Sequence, residues 1–173
     1  MGTSVSIVLN GFRRPHRLQE QVKALNQQTF PIHEILYWQN TDSKTSYDQS
    51  TIQSLKSSIS NTNWGVWSRF AYALNAKSDY VCIFDDDTIP GREWIKNCLE
   101  TYEKFPGLLG TSGLIFNTGN YQHFTRFGWY QNHNDFPVQV DIVGHAWFFA
   151  RDLLSVFWRE LPSLDQHMCV GED

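Results

Sequence analysis

DYVCIFDDDTIPG, residues 79–91, is the stretch that decides the fold. Residues 80–84 are an unbroken apolar run rich in β-branched and aromatic side chains, which predicts a strand buried on both faces. Three carboxylates, Asp85, Asp86 and Asp87, follow without a gap, and a Pro-Gly pair then closes the turn. The stretch therefore predicts a core strand that delivers three acids to one point at its carboxyl end.

The acidic cluster predicts a metal site. Neighbouring carboxylates repel one another and raise each other's pKa, whereas a divalent cation reverses that penalty. Carboxylate oxygens are hard ligands that suit Mg²⁺ or Mn²⁺, and these ions commonly bridge carboxylates to substrate phosphates. The alternative is a solvated acidic turn that also caps the next helix, and it stays open at this stage.

Alternating strands and helices through residue 105 predict an α/β fold with a mostly parallel central sheet. The expected strands are 5–10, 34–38, 80–84, 108–116, broken by Gly110 and Gly113, and 138–149, interrupted by Asp141, Gly144 and His145. The expected helices are 15–28, 50–58, 66–76, 92–104 and 151–159, and a long loop is expected at 117–134. In such sheets, ligands bind beyond the carboxyl ends of the strands. Polar or acidic groups from three segments meet at that edge: Asn10, Gly11 and Phe12; Gln39, Asn40, Thr41 and Asp42; Asp85, Asp86 and Asp87.

Composition narrows the class of protein. At 173 residues with 41% hydrophobic content, the chain is expected to form one globular domain. The net charge of −4 argues against a nucleic-acid or anionic-membrane surface, and no apolar run reaches the ~20 residues needed to span a bilayer. Three scattered cysteines, Cys82, Cys98 and Cys169, fit free thiols in a reducing compartment. A cytoplasmic location is therefore expected, either alone or as a soluble domain of a larger protein.

Taken together, the segments resemble the nucleotide-sugar-binding core of GT-A fold glycosyltransferases, closest to family 2. Residues 5–15 resemble the opening strand and the turn that holds the nucleotide base, and residues 27–36 resemble the passage into the second strand. The stretch from Arg69 to Asp87 resembles the family block that contains the D-x-D metal motif. Gly171-Glu172-Asp173 resembles the late motif that supplies the general base in inverting members.

The resemblance implies roles for individual residues. Asp85 and Asp87 would bind Mn²⁺ or Mg²⁺, and Asp173 would act as the catalytic base while Glu172 orients the acceptor or the sugar. The residues implied in binding the nucleotide sugar are Asn10, Gly11, Phe12, Arg13, Asn40, Asp42, Arg69, Asp85, Asp86 and His145. Two departures stand out: Gln39-Asn40 replaces the usual acidic pair, and Phe70 replaces a common Asn.

The activity implied by this resemblance is metal-dependent transfer of a sugar from a nucleoside diphosphate sugar, with a UDP-sugar as the expected donor. The acceptor would be a hydroxyl group of a glycan or another molecule, and inversion is the expected outcome. Residues 1–105 would form the nucleotide-binding half and residues 106–173 the acceptor-side half of one catalytic domain. Family members continue beyond the Glu-Asp motif, so a truncated acceptor side is expected.

Two other classes remain open from the residues. A sugar-nucleotide pyrophosphorylase would share the α/β sheet and Mg²⁺, but it usually opens with a glycine-rich triphosphate loop, whereas Gly11 stands alone here. A non-catalytic carbohydrate- or Ca²⁺-binding module would place acids at alternating loop positions instead of three together at the end of a strand.

Overall fold

The central feature of the fold is a five-stranded sheet. The structure is a computed structural model that describes residues 2–42, 44–118, 122–128 and 134–159. The strands of the sheet are β1 (Val5–Gly11), β2 (Glu34–Asn40), β3 (Lys56–Ser60), β4 (Tyr80–Phe84) and β8 (Trp147–Ala150). The order across the sheet is β3-β2-β1-β4-β8. The first four strands are parallel, and β8 runs antiparallel to β4. The expected α/β fold with a mostly parallel sheet is thus confirmed.

Helices cover both faces of this sheet because the buried strands are apolar on both sides. They are α1 (Arg17–Leu25), α2 (Gln49–Gln53), α3 (Trp67–Ala73), α4 (Trp94–Lys104) and α5 (Leu154–Arg159). Alternate residues of β1 belong to two different cores: Ile7 and Leu9 pack with residues of α1, α2 and α4, whereas Val8 packs with residues of α3 and α5. Packing on both faces holds β1 and β4 in place, and with them the edge of the sheet formed by the carboxyl ends of these strands.

A second, smaller sheet lies in the later part of the chain. It contains β5 (Ser112–Phe116), β6 (Phe124–Phe127) and β7 (Ile142–Gly144), with β5 in the middle and both pairings antiparallel. A bridge between Leu109 and Phe148 links the segment before β5 to β8. The two sheets therefore meet where β7 passes into β8.

Two element predictions from sequence were wrong in detail, and the interruption expected at Gly144 and His145 is confirmed. Residues 138–149 contain two shorter strands, since His145 and Ala146 both have positive φ, 62° and 60°, which turns the chain from one sheet into the other. The helix expected over 50–58 ends at Gln53, and β3 follows it. The loop expected over 117–134 contains β6.

Buried polar groups at the amino end of the sheet form a network around Glu34. Its carboxylate accepts hydrogen bonds from Ser6 Oγ at 2.8 Å, Lys77 N at 2.9 Å and Lys56 Nζ at 2.6 Å. Burial would raise the pKa of Glu34, but these hydrogen bonds outweigh it and lower the pKa to about 2. The network joins β1, β2 and β3 at the end of the sheet opposite Asp85, Asp86 and Asp87.

This network predicts a defined pH dependence of stability. The pKa of Glu34 is lower in the folded protein than in the unfolded chain, so its contribution is complete above about pH 4.5 and is lost as pH falls toward 2. Glu34→Gln should lower the free energy of unfolding by about 3 kcal/mol at pH 7 and by progressively less below pH 4. Urea denaturation at pH 7, 4 and 3 measures this difference.

The matched control is Glu100→Gln, which changes an exposed glutamate on α4 near Lys96. It should leave the free energy of unfolding within about 0.5 kcal/mol of the unsubstituted protein at every pH. A loss for Glu34→Gln that stays constant from pH 7 to pH 3 would contradict the assignment.

Candidate functional site

The acidic turn after β4 is held by a buried glutamine of α1. Gln21 Nε2 donates to the main-chain oxygens of Asp85 at 2.6 Å and Thr88 at 3.0 Å. The turn itself is closed by a hydrogen bond from Thr88 N to Asp85 O at 3.1 Å. Sequence reasoning missed Gln21, although it is a polar residue between Leu18 and Leu25 on the buried stripe of α1. A polar residue on an apolar stripe is the signal that could have found it.

Asp85 is paired with a buried arginine from α3. Arg69 Nη1 contacts Asp85 Oδ1, and the Arg69 side chain is only 3% exposed. Its guanidinium carbon lies 4.6 Å from the ring centroid of Trp147 and 5.5 Å from that of Phe70. The rings and the carboxylate together hold Arg69 in one position, so the first acid of the cluster has a fixed counter-charge.

Asp86 and Asp87 share a second arginine, from the loop between β1 and α1. Arg14 Nη1 lies 2.8 Å from Asp86 Oδ1 and 2.7 Å from Asp87 Oδ2. Asp86 also accepts a hydrogen bond from Phe12 N at 3.3 Å. Burial is the largest influence on Asp86 and raises its pKa, while Arg14 opposes that shift; the two carboxylates raise the pKa of Arg14. The loop after β1, called the first loop below, is therefore connected directly to the acidic turn by a hydrogen bond and ion pairs.

Gly11 is required by the neighbouring strand. A Cβ atom at this position would lie 2.1 Å from Tyr37 Oη, which is far inside contact distance. Burial raises the pKa of the Tyr37 hydroxyl, which lies beneath the loop and close to Gln39 Oε1 at 3.4 Å. Because Gly11 has no side chain, it leaves the space that the Tyr37 hydroxyl occupies beneath the loop.

Arg13 and Asp42 connect the loops that follow β1 and β2. Arg13 Nε lies 3.0 Å from Asp42 Oδ2, and the Arg13 guanidinium lies 4.6 Å from the ring centroid of Phe12. Hydrogen bonds from the Lys44 main chain and from Arg13 outweigh partial burial and lower the pKa of Asp42. Arg13 has a φ of 65°, so this loop adopts a conformation that is uncommon for a side-chain-bearing residue. The two loops thus form one polar surface at the sheet edge.

Both ends of the Asn40 side-chain amide make hydrogen bonds within the protein. Its amide oxygen accepts from Trp38 Nε1 at 2.9 Å and Trp64 N at 3.2 Å, and its amide nitrogen donates to Gly65 O at 3.1 Å and Ser68 Oγ at 3.3 Å. The amide is therefore engaged with the protein and ties the end of β2 to the start of α3.

Asn10 offers an acceptor at the same edge. Its Oδ1 atom is buried and has no hydrogen-bond partner within the described ranges. A buried acceptor of this kind is uncommon unless a ligand or water satisfies it. Asn10 is the last side chain of β1 before Gly11, so this acceptor lies near the carboxyl end of the strand.

His145 brings the second half of the chain to the acidic turn. Its Nε2 atom lies 2.9 Å from Thr88 Oγ1 and 3.8 Å from Asp87 Oδ1, and its Nδ1 atom lies 3.3 Å from Thr111 Oγ1. His145 has positive φ and lies between the end of β7 and the start of β8. The predicted site residues from five segments, including Arg69 on α3, are thus brought together.

The site contains suitable oxygen donors for a divalent ion. In the described part of the chain, no three His, Cys, Asp or Glu side chains are grouped so that they could hold a metal by themselves. Asp85 and Asp87 still offer hard carboxylate oxygens, and Mg²⁺ and Mn²⁺ often use one or two carboxylates together with substrate phosphates. The donor chemistry therefore fits. The expected catalytic residues Glu172 and Asp173 lie outside the described residues.

The sequence profile described as Glycosyl transferase family 2 matches residues 6–158. The chain belongs to glycosyl transferase family 2. The match includes every part of the acidic site described above, from the loop after β1 to His145. Membership in this family favours a glycosyltransferase over the pyrophosphorylase and the binding module. No curated protein is similar enough in sequence to match this chain.

Solved structures of glycosyltransferases share the fold. TarS 1-349 from S. aureus is 16% identical with a TM-score of 0.61, and the alignment covers 96% of this chain and 53% of that chain. Its complex with UDP-GlcNAc is 15% identical with a TM-score of 0.57, covering 92% and 49%. The mannosyltransferase PcManGT from Pyrobaculum calidifontis, in complex with GDP-Man and Mn²⁺, is 17% identical with a TM-score of 0.53, covering 61% and 34%.

These likenesses confirm the GT-A fold expected for the family 2 protein. The chain spans about half of the length of TarS 1-349. Within the described ranges, none of the helices combines the length and the apolar character needed to cross a bilayer.

Replacement of Gln21 tests whether the acidic turn depends on α1. Gln21→Met keeps the length of the side chain but removes the donor that serves Asp85 O and Thr88 O. The free energy of unfolding should fall by about 2 kcal/mol, because buried carbonyl groups lose their partner. Chemical denaturation measures the loss, with Gln27→Met, at an exposed position just after α1, as the control. Equal stability of the two variants would show that Gln21 does not hold the turn.

Proposed function

We propose that this family 2 glycosyltransferase transfers a sugar from a UDP-sugar to a hydroxyl group of a glycan or other acceptor, with Mn²⁺ or Mg²⁺ and with inversion. The main structural support for this proposal is the contact between the acidic turn (Asp85, Asp86 and Asp87) and the loop after β1. In this contact, Phe12 N donates a hydrogen bond to Asp86. That contact places a polar loop beside carboxylates at the end of a core strand. The UDP-GlcNAc complex of TarS supports the choice of donor.

The nucleotide would bind over the loops that follow β1 and β2, within residues 1–105. Phe12 offers an aromatic face, and Arg13 and Asp42 offer a donor on an exposed side chain and an acceptor on a partly buried one. Asn10 Oδ1 offers a buried acceptor that a donor group of the nucleotide would satisfy. Gly11 and Asn40 act indirectly, since Gly11 makes room for Tyr37 and the Asn40 amide is engaged within the protein.

Asp85 and Asp87 would hold the divalent ion. Arg69 is buried against Asp85, so we assign it the task of orienting that carboxylate instead of contacting the phosphates directly. When bound, the metal would neutralise the negative charge that develops on the leaving diphosphate. The Mn²⁺ complex of PcManGT supports the choice of metal.

The transfer itself needs one base and an ordered acceptor. The acceptor oxygen attacks the anomeric carbon as the bond to the diphosphate breaks, and the hydroxyl proton passes to the base. Asp173 is the proposed base and Glu172 the proposed orienting group, on the support of the Gly171–Asp173 motif. His145, beside Asp87 and Thr88, is positioned to contact the donor sugar or the acceptor.

Residues 106–173 would form the acceptor side, beginning with the small sheet of β5, β6 and β7.

We also propose a cytoplasmic location. Cys82 and Cys98 are free thiols in the described part of the chain, and burial raises the pKa of Cys98 to about 12. Unpaired, unreactive thiols fit a reducing compartment.

Replacement of Asp87 tests the metal and the donor together. Asp87→Asn should lower the affinity for UDP in Mn²⁺ at least tenfold and leave the weak metal-free affinity unchanged, because a proposed metal ligand is lost. Titration calorimetry with UDP, with and without Mn²⁺, measures both values. Asp135→Asn, at an exposed position, is the control. Full Mn²⁺-dependent affinity in Asp87→Asn would overturn the metal assignment.

Replacement of Asp173 separates transfer from binding. Asp173→Asn should reduce turnover about 10²- to 10⁴-fold while the UDP affinity stays within twofold, because a base acts only in the chemical step. UDP release from a panel of nucleotide sugars with candidate acceptors measures turnover. Asp165→Asn changes an acid in the same segment and serves as the control. An equal loss of turnover in both variants would argue against Asp173 as the base.

A further inference from the structure

Arg14 lies against one carboxylate oxygen of the proposed metal site and one of the neighbouring Asp86. One nitrogen of its guanidinium, Nη1, lies 2.7 Å from Asp87 Oδ2 and 2.8 Å from Asp86 Oδ1. A single cationic nitrogen thus joins two adjacent carboxylates of the acidic turn. The interaction relieves their mutual repulsion, which is the task that a metal ion would also perform there.

The two arginines of the site differ in their freedom to move. Arg69 is 3% exposed and is held by Asp85 and two aromatic rings. Arg14 is 51% exposed, comes from a loop, and is joined to the rest of the site by ion pairs to Asp86 and Asp87. A long, exposed side chain on a loop can leave its partners by side-chain rotation, whereas Arg69 cannot leave without disturbing the core.

A divalent ion and Arg14 would compete for Asp87. A metal ligand oxygen cannot also keep a close ion pair with a guanidinium without strong repulsion between the two cations. A metal that binds alone must therefore break the contact between Arg14 and Asp87 and leave Arg14 with a weaker set of partners. A diphosphate changes this balance, because guanidinium groups match phosphate oxygens well.

We propose that Arg14 couples metal binding to diphosphate binding: it holds Asp86 and Asp87 until a metal binds, yields Asp87 to the metal, and then binds the diphosphate. This inference rests on the proposed function, since it takes its metal and diphosphate from there. The consequence is an order of events. The metal binds weakly without nucleotide and more tightly with it, because Arg14 gains a new anionic partner only when the diphosphate is present.

The test compares Mn²⁺ binding in Arg14→Met with Mn²⁺ binding in the unsubstituted protein. Free Mn²⁺ is measured by electron paramagnetic resonance, first without nucleotide and then with saturating UDP. Without nucleotide, Arg14→Met should bind Mn²⁺ about tenfold more tightly, since the competing cation is gone. With UDP, the further gain in Mn²⁺ affinity should be about tenfold smaller in the variant than in the unsubstituted protein.

Two further variants sharpen the test. Arg17→Met removes the same charge three residues away, where the arginine pairs with Glu20, and should leave the Mn²⁺ affinity within twofold. Arg14→Lys keeps a cation without the planar guanidinium and should bind Mn²⁺ with an affinity between the other two. The melting temperature of each variant confirms that the change in Mn²⁺ affinity comes from a folded protein.

The outcomes distinguish the two proposals. If the unsubstituted protein binds Mn²⁺ in the presence of UDP but Arg14→Met binds Mn²⁺ alone no more tightly, the coupling role is overturned and the proposed function stands. A loss of UDP affinity without any change in Mn²⁺ affinity would also overturn the coupling, and Arg14 would be a simple phosphate ligand. If the unsubstituted protein binds no Mn²⁺ with or without UDP, both the coupling and the proposed metal site fall.

Discussion

Compensation of three adjacent negative charges is the constraint on which the rest of the site depends. Strand β4 places Asp85, Asp86 and Asp87 together at its end, and like charges at such short range are unfavourable unless cations approach. Arg69 arrives from α3 on one face of the sheet, and Arg14 arrives from the loop after β1. The acidic turn therefore draws separate parts of the chain to one point, and the shape of the site follows from where those cations are attached.

The two ends of the sheet have different chemistry for a related reason. At the amino end, Glu34 is surrounded by donors that are all supplied by the protein, so its charge is satisfied internally and contributes to stability. At the carboxyl end, Asp87 is 47% exposed and its partner Arg14 is exposed as well. Charges that remain accessible can exchange partners with a ligand, whereas buried and fully satisfied charges cannot. Family membership is consistent with ligand binding at the accessible end.

The strands made of unbroken apolar runs could be predicted from the sequence, whereas the strand rich in polar residues could not. The apolar runs of β1, β2 and β4 predicted buried strands, and their order predicted the sheet. Strand β3 was missed because Lys56-Ser-Ser-Ile-Ser60 is polar and pairs at the sheet edge with Ile59 exposed. The acids of the site were recognisable from their position, but the part taken by Arg14 was not, since pairing of an exposed arginine depends on contacts distant in the chain. The break at His145 was expected from the interrupted strand pattern, but the positive φ values that carry the chain into the other sheet were not.

The fit between Gly11 and Tyr37 limits how this family 2 protein can diverge. The tyrosine hydroxyl fills the space that a side chain on the adjacent strand would need, so the two positions share one small volume under the first loop. An ancestor or descendant with a larger residue at position 11 would need a shorter one at position 37, and the change at position 37 would have to come first. Covariation between these two positions should therefore mark the lineages in which the floor of the loop has been rebuilt.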